Sequence, residues 1–296
     1  MARQGLYKEA PKMPSVIGYE VVGKIIEVGK ALSKEIIGKR VLAFCRFGGY
    51  AKHVITEEHA FVPIDDVPAE DALALCTAGA TAYYMAYYQT KIHKGDRVLV
   101  HAASGGVGSL LVQMAVNQGA VVFAKVGQTD KEQIVKDLGA HHVINYRKVD
   151  YQTEINETLT KERLDISFNP VAGDTFVKDW QLIGSGGRLV LFGGSQLSYG
   201  RLGILSSLNF LRRMGILLPI ALMMRSKSVL GVNMLKIADF KPHVLQLCMQ
   251  EVMKMYLNKE IKPIVGGLFS VNEIAKAHEL LSSGKSSGKI IVSWED

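Results

Sequence analysis

From about residue 92 onward the chain alternates short apolar runs with longer stretches in which apolar side chains recur at helical spacing. A short apolar run bounded by turn residues reads as a buried strand, and a period of about 3.6 residues reads as a helix with one buried face. The alternation therefore predicts an α/β unit, a doubly wound parallel sheet joined by crossover helices. Predicted strands cover residues 97–101, 121–125, 142–145, 165–168, 188–192 and 228–232, and predicted helices cover 107–117, 131–138, 151–160 and 175–182. Two of these helices run into Gln118-Gly119 and Leu138-Gly139, where glycine suits a left-handed cap.

The first 80 residues follow another pattern, with β-branched runs at 21–28, 40–44 and 50–55 separated by glycine turns, Pro63 and Pro68. This predicts a small all-β barrel or sandwich. Residues 234–296 add two helical stretches and a last strand at 289–293 that has no obvious place in the parallel sheet. The expected domains are thus a barrel domain at 1–79, a dinucleotide-binding domain at 80–233, and a segment at 234–296 that returns to the barrel.

Composition narrows the class. With 48% apolar and 21% charged residues, the 296-residue chain is an ordinary globular protein long enough for two domains. A net charge of +7 suits an anionic ligand, nucleic acid or an acidic membrane surface. Nucleic acid is set aside, because the basic residues are not interleaved with aromatics. Cys45, Cys76 and Cys248 lie too far apart for a disulfide framework or a cysteine-rich zinc site. They point to a reducing, cytoplasmic setting. The start, MARQGLYKEAPKMP, lacks the build of a secretory signal, and the apolar stretch 214–224 is too short to span a bilayer. Residues 201–227 do combine Leu, Ile and Met with five cations, a composition that suits peripheral contact with anionic lipid as well as a lid, a dimer contact or a buried helix.

The chemistry concentrates in His101-Ala102-Ala103-Ser104-Gly105-Gly106-Val107-Gly108, placed where a strand ends and a helix begins. Free backbone N–H groups and the positive end of the helix dipole meet there and favour a pyrophosphate. Gly105 and Gly106 let the backbone approach the phosphates, and Gly108 lets helix pack on strand. A site for NAD usually ends its second strand in an acid that binds the ribose 2′-hydroxyl. Here that position holds Lys125, with Lys131 at the next helix start, and the first acid is Asp130. Two cations in place of an anion favour NADP(H).

These residues resemble the zinc-independent quinone oxidoreductases (zeta-crystallin-like) of the medium-chain dehydrogenase/reductase superfamily. The resemblance runs through Arg3-Gln4-Gly5-Leu6-Tyr7, Gly48-Gly49-Tyr50-Ala51, Thr81-Ala82-Tyr83, the HAASGGVG turn, Gly139-Ala140 with Val143-Ile144-Asn145-Tyr146, and Gly186-Gly187-Arg188. Asn169-Pro170-Val171 and the insert after Gly194 are similar to the vesicle amine transport protein-like branch. The resemblance implies a GroES-like barrel beside a Rossmann domain, and a homodimer. It also implies that Thr81, Ser104, Gly105, Gly106 and Val107 hold the phosphates and nicotinamide half. Gly127, Lys131 and Tyr146 would surround the adenosine 2′-phosphate, while Val171, Phe192, Gly193 and Ser195 would line the path to the nicotinamide. Tyr7 is the expected catalytic residue, a phenol facing the substrate.

Two departures from the family qualify this picture. Zinc-dependent relatives carry a histidine where this chain has Tyr19, within Gly18-Tyr19-Glu20, so no metal is expected. Met1 stands almost at the Arg-x-Gly-Leu-Tyr segment, so the barrel is expected to be N-terminally incomplete. The expected activity is NADPH-dependent hydride transfer to a quinone or an α,β-unsaturated carbonyl. The alternative is an NADP-binding, catalytically weak membrane-surface or regulatory protein.

Overall fold

The computed structural model describes residues 9–12, 14–194, 212–215 and 217–294. Two compact units result, one from Met1–Tyr83 with Met234–Asp296 and one from Tyr84–Asn233.

In the first unit, β1 (Glu20–Lys24), β2 (Arg40–Phe44) and β3 (Phe61–Pro63) form an antiparallel sheet in that order. The expected strand at 50–55 does not form. The Tyr50 N–H donates to the Ile17 carbonyl at 2.9 Å, and Ile55 is 95% exposed, so its β-branched side chain has no face to pack on. The third strand is instead the short Phe61–Pro63, which pattern reading passes over because it ends in proline. Helices α1 (Ala69–Leu75) and α2 (Thr77–Tyr83) follow, each with small buried residues.

The second unit carries β4 (Arg97–Val100), α3 (Gly106–Asn117), β5 (Val121–Val126), α4 (Asp130–Asp137), β6 (His142–Asn145), α5 (Tyr151–Leu159), β7 (Leu164–Asn169), α6 (Asp174–Leu182), β8 (Ile183–Leu191), α7 (Pro219–Arg225) and β9 (Ser228–Gly231). The six strands lie parallel in the order β6-β5-β4-β7-β8-β9. Chain direction across the sheet reverses between β4 and β7, which opens a crevice at the carboxyl ends of those strands. One side of the sheet is filled by Leu99, Phe123, Ile155, Leu164, Leu182 and Leu189. Asp150 starts α5 by accepting from the Gln152 and Thr153 N–H groups at 3.1 Å, which satisfies two donors that the helix cannot pair.

The chain then returns to the first unit through α8 (Met234–Phe240), α9 (Pro242–Leu257), β10 (Val265–Ser270), α10 (Ile274–Ser282) and β11 (Lys289–Ser293). β10 and β11 pair in parallel. Glu20 joins distant parts of this unit: one carboxylate oxygen accepts from the Thr77 N–H at 2.7 Å and the other pairs with the Lys289 ammonium. Among the described residues no helix is long and apolar enough to cross a membrane.

Candidate functional site

The turn between β4 and α3 is closed by backbone. Ala102 takes a left-handed φ of 49°, where an alanine is strained and the usual motif has glycine. The Ala103 N–H donates to the Lys125 carbonyl at 3.1 Å, which ties the turn to β5. Gly105 caps α3 and Gly106 is its first residue. A Cβ at Gly108 would stand 2.9 Å from both the Ala102 carbonyl carbon and the Ala103 Cα, and closer still to the Ala102 oxygen. Only glycine lets α3 come this near to the strand end. The leading N–H groups of α3 have no intrahelical acceptor, so the helix points donors and a positive dipole end at the crevice. Ser104 lies buried in this turn, and Val107 follows in the first turn of α3.

At the end of β5, a Cβ on Gly127 would meet the Tyr146 hydroxyl at 2.6 Å, so the phenol of Tyr146 lies directly over that glycine. Lys131 sits in the first turn of α4 with its side chain largely buried, and burial lowers its pKa. On the other side of the crevice, Asn169 pairs with Leu191, and the Phe192 N–H donates to the Asn169 carbonyl at 3.3 Å. The Asn169 side-chain oxygen accepts from the Val171 N–H at 2.8 Å. Val171, Phe192 and Gly193 thus stand at the adjoining ends of β7 and β8. Thr81 belongs to α2 of the other unit, buried, with its hydroxyl donating to the Thr77 carbonyl at 2.6 Å. Tyr7, Ser195 and residues 201–211 lie outside the described residues.

Lys125 is corrected by the structure. It does not face the crevice as a surface cation; it is 6% exposed, with its ammonium 3.8 Å from the centre of the Tyr151 ring and 3.3 Å from His101 Nδ1. The missed signal is the strand period. Residues two apart on β5 share a face, so Lys125 follows Phe123 toward the interior.

Lys125 belongs to a buried network that sequence reading did not find. His101 is 1% exposed, and its Nε2 is 2.9 Å from the Asp179 carboxylate. Asp179, fully buried on α6, also accepts from the Ser167 hydroxyl at 2.8 Å, the Asn169 amide at 2.6 Å and the Tyr151 hydroxyl at 2.8 Å. With a carboxylate at Nε2 and an amine at Nδ1, the imidazole carries its proton on Nε2. Burial lowers the His101 pKa despite the pull of Asp179. Burial also works against the Asp179 carboxylate, yet His101, Ser167 and Tyr151 together hold its pKa below the usual value. For Lys125, burial outweighs the attraction of Asp179 and lowers the pKa to about 8.

The Tyr19 ring packs against that of Phe47 at a tilted angle, with centroids 5.0 Å apart. Among the described residues no three His, Cys, Asp or Glu side chains gather as a metal site would require.

Comparison with known proteins agrees with this architecture. Residues 1–66 match the alcohol dehydrogenase GroES-like domain family, and residues 106–250 match the zinc-binding dehydrogenase family. The chain is 27% identical over 298 residues to the synaptic vesicle membrane protein VAT-1 homolog of Danio rerio, aligning along all of this chain but only 61% of that protein. It is 28% identical over 293 residues to human quinone oxidoreductase, covering 98% of this chain and 83% of the other. Among solved structures, mycobacterial Rv1454c complexed with NADPH superposes with a TM-score of 0.84 at 25% identity, over 98% of this chain and 85% of that one.

Proposed function

This chain belongs to the medium-chain dehydrogenase/reductase superfamily, and from that premise we propose that it is an NADPH-dependent, zinc-independent oxidoreductase acting on a quinone or an α,β-unsaturated carbonyl. The observation that carries the reading is the β4–α3 junction, where Gly108 lets a helix start abut a strand end and present its N–H groups to a pyrophosphate. Bound there, the reduced nicotinamide supplies hydride. The residues of the chain do the rest. Ser104 to Val107 hold the pyrophosphate, and Val171, Phe192, Gly193 and Ser195 position the nicotinamide end. Lys131 and Tyr146, beside Gly127, bind the 2′-phosphate, a preference helped by the lack of any acid between the end of β5 and Asp130.

With Tyr19 in the metal ligand's place, the acceptor must delocalise charge by itself, which favours quinones and enones. Tyr7 serves as the hydrogen-bond donor to the developing oxyanion, and Thr81 contacts the nicotinamide half. The test is titration of the protein with NADPH, followed by its oxidation with a panel of quinones and enones, read as loss of reduced-nicotinamide absorbance. Saturable binding with turnover of at least one acceptor supports the proposal; tight binding with no turnover across the panel refutes it.

A second reading, attachment to an anionic membrane surface, is favoured by the exposed apolar side chains around α7, where Met223 is 71% and Met224 78% exposed. Salt-sensitive pelleting with acidic but not neutral liposomes is its expected outcome. The absence of any pelleting would dismiss it.

A further inference from the structure

A pocket of about 190 Å³ opens on the α5 and α6 side of the sheet, lined by Lys125, Tyr146, Val149, Tyr151, Thr175 and Lys178. Lys178 pairs there with Asp150, so its charge is already matched. Lys125 differs. Its amine lies at the pocket wall, 6% exposed, between the Tyr151 ring and His101 Nδ1 at 3.3 Å. His101 is held in turn by Asp179 through Nε2 at 2.9 Å. A nucleophile within reach of a base, itself oriented by a carboxylate, is the arrangement that activates side chains for covalent chemistry.

We propose that Lys125, with His101 as base and Asp179 as its orienter, is a second reactive site that captures small neutral aldehydes as imines. The amine lone pair forms the C–N bond as the carbonyl π pair moves to oxygen. One N–H proton passes to His101 Nδ1 and on to that oxygen. The nitrogen lone pair then forms the C=N bond as the C–O bond breaks, and the same imidazole carries the second amine proton to the departing hydroxyl, which leaves as water. Oxygen and two protons leave as one water, so no oxidant or reductant is consumed. Asp179 steadies the imidazolium that forms between the two transfers. The pocket selects by size and by charge: Asp150, paired with Lys178, and Asp174 line it together with the two lysines, and Val149 with the Tyr146 and Tyr151 rings supplies an apolar wall for a short chain.

Burial leaves this amine far more often unprotonated than a surface lysine. With a pKa of about 8, roughly one tenth of Lys125 is neutral at pH 7, against about one in 2,500 for an ordinary lysine. The test is reductive trapping of the whole chain with butanal and cyanoborohydride at pH 7, without cofactor, with the modified lysines mapped by mass spectrometry. Lys125 is expected to be butylated at least tenfold faster than the median lysine. Labelling no faster than that median overturns the proposal, whatever the variants do. Val149→Trp, at a half-exposed pocket wall, is expected to slow labelling of Lys125 alone, and an unchanged rate would show that the pocket is not the route. His101→Gln, checked for folding by circular dichroism, is expected to slow it at least tenfold, and an unchanged rate would remove the base. Because no nicotinamide is present, these outcomes are separate from those of the oxidoreductase assay.

Discussion

Replacing Gly108 with alanine puts a methyl group where the turn between β4 and α3 has no room for it. The new Cβ would lie 2.9 Å from the Ala102 carbonyl carbon and the Ala103 Cα, and nearer still to the Ala102 oxygen. All three are backbone atoms of a turn that the Ala103 to Lys125 hydrogen bond anchors to β5, so no side chain can swing aside. The helix must retreat instead. Overpacking of this kind costs about 1–3 kcal/mol, and the better helix propensity of alanine returns roughly 1 kcal/mol. A net loss of up to about 2 kcal/mol should lower the Tm of this unit by up to about 8 °C. The effect on NADPH should be larger than the effect on stability. Moving the α3 start away from the pyrophosphate by even a fraction of an ångström lengthens charge-assisted hydrogen bonds worth about 1.5–3 kcal/mol each, so Kd should rise roughly ten- to a hundredfold. Thermal unfolding with and without NADPH, together with a fluorescence titration, measures both. A Gly108→Ala protein that keeps its Tm and binds NADPH as tightly as the parent would refute the assignment of this junction as the cradle.

Lys131→Glu should weaken NADPH at least tenfold more than NADH in the same titration, whereas equal losses would sever Lys131 from the 2′-phosphate. Lys125→Met should stabilise the protein near neutral pH by about 1–2 kcal/mol, because a charge whose burial lowers its pKa from 10.5 to about 8 costs up to about 3 kcal/mol, offset in part by its attraction to Tyr151. Between pH 8 and 10.5 the folded parent has released a proton that the unfolded chain keeps, so parent stability rises with pH. The advantage of the variant should shrink across that window in urea unfolding at stepped pH, and a constant difference would contradict the argument. Glu20→Gln should cost about 2–4 kcal/mol in the same assay by leaving Lys289 without its partner charge, and no loss would show that the pair contributes nothing to the first unit.

Much of the second unit was legible because its central strands are buried on both faces and its helices on one. The runs at 121–125 and 142–145 and the helical stretch at 107–117 return in the structure within a residue or two of their expected ends. The first unit was harder to read. Its strands are short, and β1 and β3 are only partly buried, so residues 50–55 carried a β-like pattern that joins no sheet, and Phe61–Pro63 formed a strand because Val41 to Ala43 lay alongside to pair with it.

Local chemistry alone specified the glycine turn at 105–108 and the exchange of an acid for lysine at the end of the second strand. Each depends on residues within a few positions of one another and on spacings that one strand or one helix start imposes. Only the tertiary structure decided where the Lys125 charge goes, because that depends on residues up to 54 positions away: Tyr151 from α5, Asp179 from α6 and His101 from the end of β4 meet beneath the sheet edge. A lysine at a strand end is a surface cation until parallel crossovers bring a carboxylate and two rings to its side. In that setting, desolvation rather than solvent fixes its protonation, and a residue expected to meet a phosphate becomes the amine of a buried triad.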